Sequence, residues 1–294
     1  MVVFGGTGFI GSSLCLLFSK QGYNVVCLGR TNPFTGSDKI KFHSIDFHNT
    51  TTWEKLIEEG DYVCNLIALH ISKDVKGISD EIHLSAIEKL IEQCLTKKVK
   101  NLLYLSSGGS IYGRGNMAFS EIDVPAPVSP YGFLKLKSEK LLITSQERFG
   151  LPLSIARPSN IYGESQSAIG SVGVITNFYH RIARHIPLDI YGDLEIRKDY
   201  LHVEDLVKGL SSICIGHKTG IYNLGFGQTH TLGEIIYKIE LLLQKKASLN
   251  FHPLKDSDIH SYALNCNKAR IELGFNPSIN LDAGINRYYQ KGLK

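Results

Sequence analysis

Metal-ligand spacing is missing from this chain of 294 residues. Its six cysteines (Cys15, Cys27, Cys64, Cys94, Cys214, Cys266) form no CxxC pair, which removes the usual zinc and dithiol signatures. Most of them sit in apolar runs, which predicts reduced core thiols and a cytoplasmic protein rather than a disulfide framework. The 11 histidines show no HxxH or HExxH spacing, so no metal is expected. No apolar run approaches the roughly 18 residues that a membrane-crossing helix needs. The first residues lack a basic segment followed by an apolar one, so no signal peptide is expected. A large excess of one charge is missing too. The net charge is +4, and the basic residues are scattered, which argues against a nucleic-acid partner. What remains is 43% hydrophobic, ordinary for a globular chain able to bury one large core, or one core and a smaller lobe.

Residues 2–11 read Val-Val-Phe-Gly-Gly-Thr-Gly-Phe-Ile-Gly. A short apolar strand runs into Gly5, Gly8 and Gly11, and an amphipathic segment, Ser12 to Gln21, follows. Gly5 permits a tight turn, Gly8 a close approach of backbone to a pyrophosphate, and Gly11 close packing of helix on sheet. The helix then points its N-terminal amides and positive dipole end at the phosphates. The spacing alone is weak; its place between a strand and a helix makes it a dinucleotide signal.

Further apolar runs at Asn24–Leu28, Lys41–Ile45, Tyr62–Ile67 and Leu102–Ser106 suit a parallel sheet buried on both faces. Ile87, Leu90, Ile91, Cys94 and Leu95 make one apolar helix face between them. Strands alternating with helices imply an α/β, doubly wound parallel sheet. The rhythm loosens after about residue 160. The expected organisation is a dinucleotide-binding domain over 1–160 and a smaller substrate-binding lobe over 161–294, with a segment near 199–225 returning to the first.

Two clusters carry chemistry. Tyr131 and Lys135 are four apart, so on a helix they share a face. A nearby ammonium favours a phenolate, and such a tyrosine can move a proton while a nicotinamide moves a hydride. Taken alone, the pair reads more readily as a surface helix pair; the glycine loop upstream reverses that preference. In Leu105-Ser-Ser-Gly-Gly-Ser-Ile-Tyr-Gly113 a strand ends in hydroxyls, placing Ser107 and Ser110 where open α/β sheets bind ligands.

These motifs, with Arg157-Pro-Ser-Asn-Ile-Tyr-Gly163, Gln166, Lys198-Asp-Tyr-Leu-His-Val-Glu-Asp-Leu206, Tyr222-Asn-Leu-Gly225 and Lys268-Ala, run in order along nearly the whole chain. Together they resemble the extended short-chain dehydrogenases of the NAD-dependent epimerase/dehydratase family, and the UDP-glucose 4-epimerase-like branch in particular. The resemblance implies a Rossmann sheet with a C-terminal substrate lobe. It also implies Tyr131 as acid/base, Lys135 on the nicotinamide ribose, and the amides of Phe9 and Ile10 on the pyrophosphate. Asp46 and Phe47 would lie by the adenine, Ala68 against the cofactor, and Asn160 on the nucleotide-sugar phosphates. In the epimerases a hydride leaves C4 of the sugar, the 4-keto sugar rotates, and the hydride returns to the other face. Relatives often pair through the helix near 80–97 and the one carrying Tyr131, so a homodimer is expected.

The chain departs from that pattern at four places. Gly29-Arg30 stands where NAD-preferring relatives end the second strand on an acid, and a guanidinium can bind a 2′-phosphate, which tilts the expected cofactor from NAD toward NADP. Gly108 stands where a Ser or Thr is usual, passing that duty to Ser110 or Ser107. His83 replaces an asparagine, and Lys198 an arginine at the diphosphate site, while Asp258-Ile-His-Ser-Tyr262 lacks an arginine near its centre. The leading expectation is a nucleotide-sugar 4-epimerase. An NADP-dependent 4-keto-sugar reductase is the alternative, and a non-catalytic nucleotide sensor of the same fold the second alternative.

Overall fold

The computed structural model describes residues 1–34, 36–68, 79–115, 118–167, 173–254 and 259–292. In chain order, β1 (Val2–Phe4), α1 (Phe9–Lys20), β2 (Val25–Gly29), β3 (Ile40–Ser44), β4 (Tyr62–Asn65) and α2 (Asp80–Thr96) come first. Next are β5 (Asn101–Leu105), the single-turn α3 (Gly108–Ile111), β6 (Ala118–Phe119), α4 (Pro130–Phe149), β7 (Leu153–Pro158) and β8 (Asn160–Tyr162). Then come α5 (Val174–Ala183), β9 (Leu188–Tyr191), β10 (Arg197–His202), α6 (Val203–Ile215), β11 (Gly220–Leu224) and β12 (Thr229–Thr231). The chain closes with α7 (Leu232–Leu243), β13 (Leu249–His252), β14 (Ala263–Leu264), α8 (Asn267–Leu273) and α9 (Leu281–Gly292).

Seven strands form one sheet in the order β11-β7-β5-β4-β1-β2-β3, every pair parallel. This is the doubly wound Rossmann arrangement expected above. Alternate residues feed two apolar layers, as the period of a strand demands. Val3, Cys27, Cys64 and Leu103 join Leu14 of α1 and Leu206 and Leu210 of α6. Val2, Phe4, Val63, Leu102 and Tyr104 join Ile87 and Leu90 of α2 and Leu142 of α4. From β1 the chain winds one way to β2 and β3, and from β4 it winds the other. The crevice beyond the carboxyl ends of β1 and β4 is therefore the topological switch point, where such sheets bind ligands.

The second layer is built on β10, which pairs with β8 in parallel and β12 antiparallel. Helices α5, α7 and α9 cover it through Ile175, Phe178, Ile235, Ile239 and Ile285. The two layers interleave in sequence: β10 stays with the small sheet, while α6 and β11 return to the large one. Local signals fix the helix ends. Ser129 caps α4 by accepting from the Gly132 amide at 3.1 Å, with Pro130 at the first helical position and left-handed Gly150 at its end. Thr231 and Glu234 cap α7 reciprocally. Among the described residues no helix is long and apolar enough to cross a membrane. All six cysteines are buried free thiols.

Candidate active site

A cleft of about 620 Å³ opens at the switch point. One end is the glycine loop. Helix α1 begins at Phe9, before the amphipathic stretch, with Gly8 as its N-cap, so Gly11 lies inside the first turns. A Cβ on Gly11 would fall 2.1 Å from the Gly5 carbonyl oxygen, which only glycine tolerates at this distance. The result is that the first-turn amides of a 12-residue helix face the cleft beside Gly5, Gly8, Phe9 and Ile10.

Past the loop the cleft is walled by Gly29, Arg30, Asp46, Phe47 and His48. Strand β2 ends at Gly29, and a Cβ there would sit 2.3 Å from the Thr7 hydroxyl. Thr7 thus closes the position where an acid is expected in NAD-preferring relatives, and the exposed Arg30 follows it. Phe47 is held by Trp53, stacked at 5.8 Å, and by the edge of Phe4 at 5.6 Å. The Asp46 carboxylate accepts from the His48 amide at 3.0 Å. Ala68 is exposed in the cleft just beyond β4.

At the other end Ser107 and Tyr131 meet. Ser107 directly precedes the short α3, and its hydroxyl donates to that of Ser110 at 3.2 Å. Ser107 also hydrogen-bonds the Tyr131 phenol. Lys135, one turn on along α4, is buried, and its ammonium donates to the carbonyls of Leu105 at 2.7 Å and Ile67 at 3.3 Å. It lies 4.6 Å from the centre of the Tyr104 ring and 5.8 Å from that of Tyr131. Burial pushes Lys135 down to about 7 against the pull of Glu139. Burial pushes Tyr131 up to about 12, with the Ser107 bond acting the other way. The expectation that Lys135 draws the phenol toward neutral pH is therefore not met: loss of water around both groups outweighs their proximity.

Ser107, Tyr131, Lys135 and Asn160 all line the cleft. Ser110 and Lys198 do not line it: Ser110 stands behind Ser107, and Lys198 lies on β10, paired with His230 and bridged to Tyr262. The absent hydroxyl at position 108 also has a physical reason. A Cβ on Gly108 would lie 2.7 Å from Leu264 Cδ1, so that place is filled by apolar side chain. Sequence reasoning passed over Thr7, His48, Ser106 and Tyr200, which also line the cleft. Tyr200 is two residues from Lys198, on the same side of the strand, and strand alternation could have pointed to it. Buried polar atoms without a protein partner gather here: Ser106 Oγ, Asn160 Nδ2 and Tyr200 Oη. Such atoms are costly unless something polar meets them, and with the amide-rich end of α1 they fit a dinucleotide and a polar substrate.

The model of the NAD-dependent epimerase/dehydratase family matches residues 1–225. The chain belongs to this family. It is 37% identical to dTDP-4-dehydro-6-deoxyglucose reductase of Escherichia coli, over 98% of this chain and 95% of that protein. It is 28% identical to UDP-glucose 4-epimerase of Mycolicibacterium smegmatis, over 97% and 95% respectively. Among solved structures, Thermus thermophilus UDP-glucose 4-epimerase in complex with NAD superposes with a TM-score of 0.89, at 25% identity over 98% of each chain.

The Lys135 shift makes stability depend on pH in a defined direction. Between the folded value of about 7 and the usual lysine value of 10.5, the unfolded chain binds a proton that the folded chain does not. Stability therefore rises with pH across that window. Relative to Lys135→Met, the wild-type protein should gain on the order of 3 kcal/mol between pH 6.5 and 9.5. Denaturant midpoints of both proteins at the two pH values check this; a constant gap contradicts a depressed Lys135.

Proposed function

We propose that the protein exchanges a hydride with C4 of a nucleotide-linked sugar and works as a 4-epimerase. The observation that carries this reading is Tyr131, in contact with Ser107 and one turn from Lys135, at one end of a cleft whose other end is the glycine loop. A bound nicotinamide supplies the hydride acceptor and donor. The phenolate form of Tyr131 takes the proton of the C4 hydroxyl as the hydride leaves C4, and the phenol so formed returns that proton to the C4 oxygen once the hydride has come back to the other face. Ser107 aligns the sugar oxygen with the phenol, and Ser110 holds the Ser107 hydroxyl. The Lys135 ammonium stabilises the phenolate that accepts the proton.

The rest of the cleft follows from the same reading. The amides of Phe9 and Ile10, with Gly5, Gly8 and Gly11, hold the pyrophosphate; Asp46 and Phe47 flank the adenine; Ala68 lies along the nicotinamide half. Asn160 binds the sugar nucleotide near its diphosphate. Lys198, outside the cleft lining, acts at that end only at a distance, as a point charge.

A second reading, a 4-keto-sugar reductase using NADPH, has a specific observation behind it. Thr7 excludes a side chain at position 29, and Arg30 offers a guanidinium in place of an acid. The Escherichia coli relative is itself named a reductase of a 4-dehydro sugar nucleotide. We therefore favour NADP over NAD as the nucleotide held.

The two readings separate in one assay. Incubation with UDP- and dTDP-hexoses and no reductant should invert C4, seen by proton NMR, without net nucleotide turnover. Stoichiometric NADPH oxidation with a 4-keto sugar, and no inversion, would establish the reductase instead. In either case Tyr131→Phe should lower kcat by about 100-fold to 1,000-fold; unchanged turnover removes Tyr131 as acid/base. Arg30→Ala should weaken NADPH binding by about 10- to 100-fold and leave NADH unchanged, measured by fluorescence titration. Equal effects on both nucleotides would refute the 2′-phosphate role.

Two copies are proposed to associate through α2 and α4. These helices pack side by side, joined by Lys137 and Asp80 at 2.8 Å, and expose Ile82 and Phe133. Sedimentation should give twice the 32.7 kDa chain mass, and Phe133→Glu should return it to one.

A further inference from the structure

Glu139 and Arg157, neither of which lines the cleft, form an ion pair. The Arg157 guanidinium donates from Nε to Glu139 Oε1 at 3.1 Å and from Nη2 to Oε2 at 2.6 Å. Both side chains are buried, at 1% and 3% exposure. A buried, bidentate pair of this kind costs two desolvations and is weak support for stability alone. Its remaining bonds order it further: Arg157 Nη1 donates to the Tyr112 hydroxyl at 2.9 Å, and Tyr112 donates to Asn223 Oδ1 at 2.7 Å. The carboxylate is thereby locked in place from β7, α3 and β11. Burial works against the Arg157 charge, but the bonds to Glu139 outweigh it.

Glu139 also lies one helical turn beyond Lys135 on α4, on the same face. We propose that Glu139, held by Arg157, is a positioning residue for the active site: it is the fixed counter-charge that favours the ammonium form of the buried Lys135 and helps seat it against the Leu105 and Ile67 carbonyls. This rests on the role given to Lys135 above. The other groups facing Lys135 carry no compensating charge near neutral pH. Tyr131, on its own helix, and Tyr104, on β5, are phenols that burial pushes up. His83, on α2, is pushed down to about 4 by burial and by the Lys135 charge. His48, whose Nε2 lies 3.2 Å from His83 Nδ1, is pushed down by burial as well. Among the described residues, Glu139 is the carboxylate whose charge supports Lys135. Without it the amine sheds its proton at lower pH, and a neutral amine cannot stabilise a phenolate.

The test reads Lys135 directly, in protein without added nucleotide or sugar. Carbon-13 NMR of lysine-labelled protein follows the Lys135 side chain, assigned by its loss in Lys135→Arg. In Glu139→Gln its titration midpoint should fall by about one unit or more, a tenfold change in proton affinity. Glu139→Asp should recover part of the shift. Since Glu139→Gln strands a buried guanidinium, Glu139→Met/Arg157→Met serves as the folding-competent control; its midpoint should move in the same direction. On active enzyme, the alkaline limb of kcat/KM should move to lower pH by a matching amount, whereas a merely structural defect lowers activity evenly at all pH. A midpoint that stays put in both Glu139 variants, or rises in the double variant, overturns the proposal. Because the midpoint is read without turnover, a shift in Lys135 with no sugar chemistry would sink the functional reading and leave this one standing.

Discussion

A single ammonium, buried where β4 and β5 end, constrains most of what surrounds it. Lys135 reaches from α4 to the carbonyls of Leu105 and Ile67 and so ties the helix to the sheet edge. The same tie brings Tyr131, one turn earlier, over the mouth of the cleft. The cost of that burial is visible in the depressed proton affinity of the amine and the raised value of the phenol. Neither group is tuned by the other in isolation; both are tuned by loss of water.

The sheet supplies the rest through its switch point. Because winding reverses between β1 and β4, the loops after these strands diverge and leave a crevice instead of covering each other. Into it the glycine loop presents a helix end, and the chain after β5 presents hydroxyls. The smaller layer built on β10 covers the far side through Asn160, Ile161 and Tyr200. The interleaving of the two layers in sequence means that neither is a separate length of chain.

Much of this was legible because the signals were local. Gly5, Gly8 and Gly11 read as a dinucleotide signal from their spacing together with their place between a strand and a helix, and Tyr131 with Lys135 read as one helix face. Ser129-Pro130 and Gly150 mark the ends of α4 without any tertiary knowledge. What could not be read depends on contacts between segments far apart. That Leu264 fills the place of a hydroxyl at Gly108, that Thr7 lies over Gly29, and that Arg157 clamps Glu139 are facts of packing, with no periodic signature. The direction of the Tyr131 shift was misread for the same reason: four-residue spacing reveals proximity, but the depth of burial, which decides the sign, is set by the whole fold. Lys198 was placed by motif at the diphosphate, yet its strand carries it outside the cleft while Tyr200 takes the lining position.

The approach of Thr7 to Gly29 bears on which substitutions this turn can accept. A lone carboxylate introduced at position 29 collides with the threonine before it can meet any ribose. A smaller residue at position 7 must come first or arrive together with it. Gain of a side chain at position 29 is therefore ordered, with one permissive step at position 7 ahead of it. Single-site libraries across this turn would miss it.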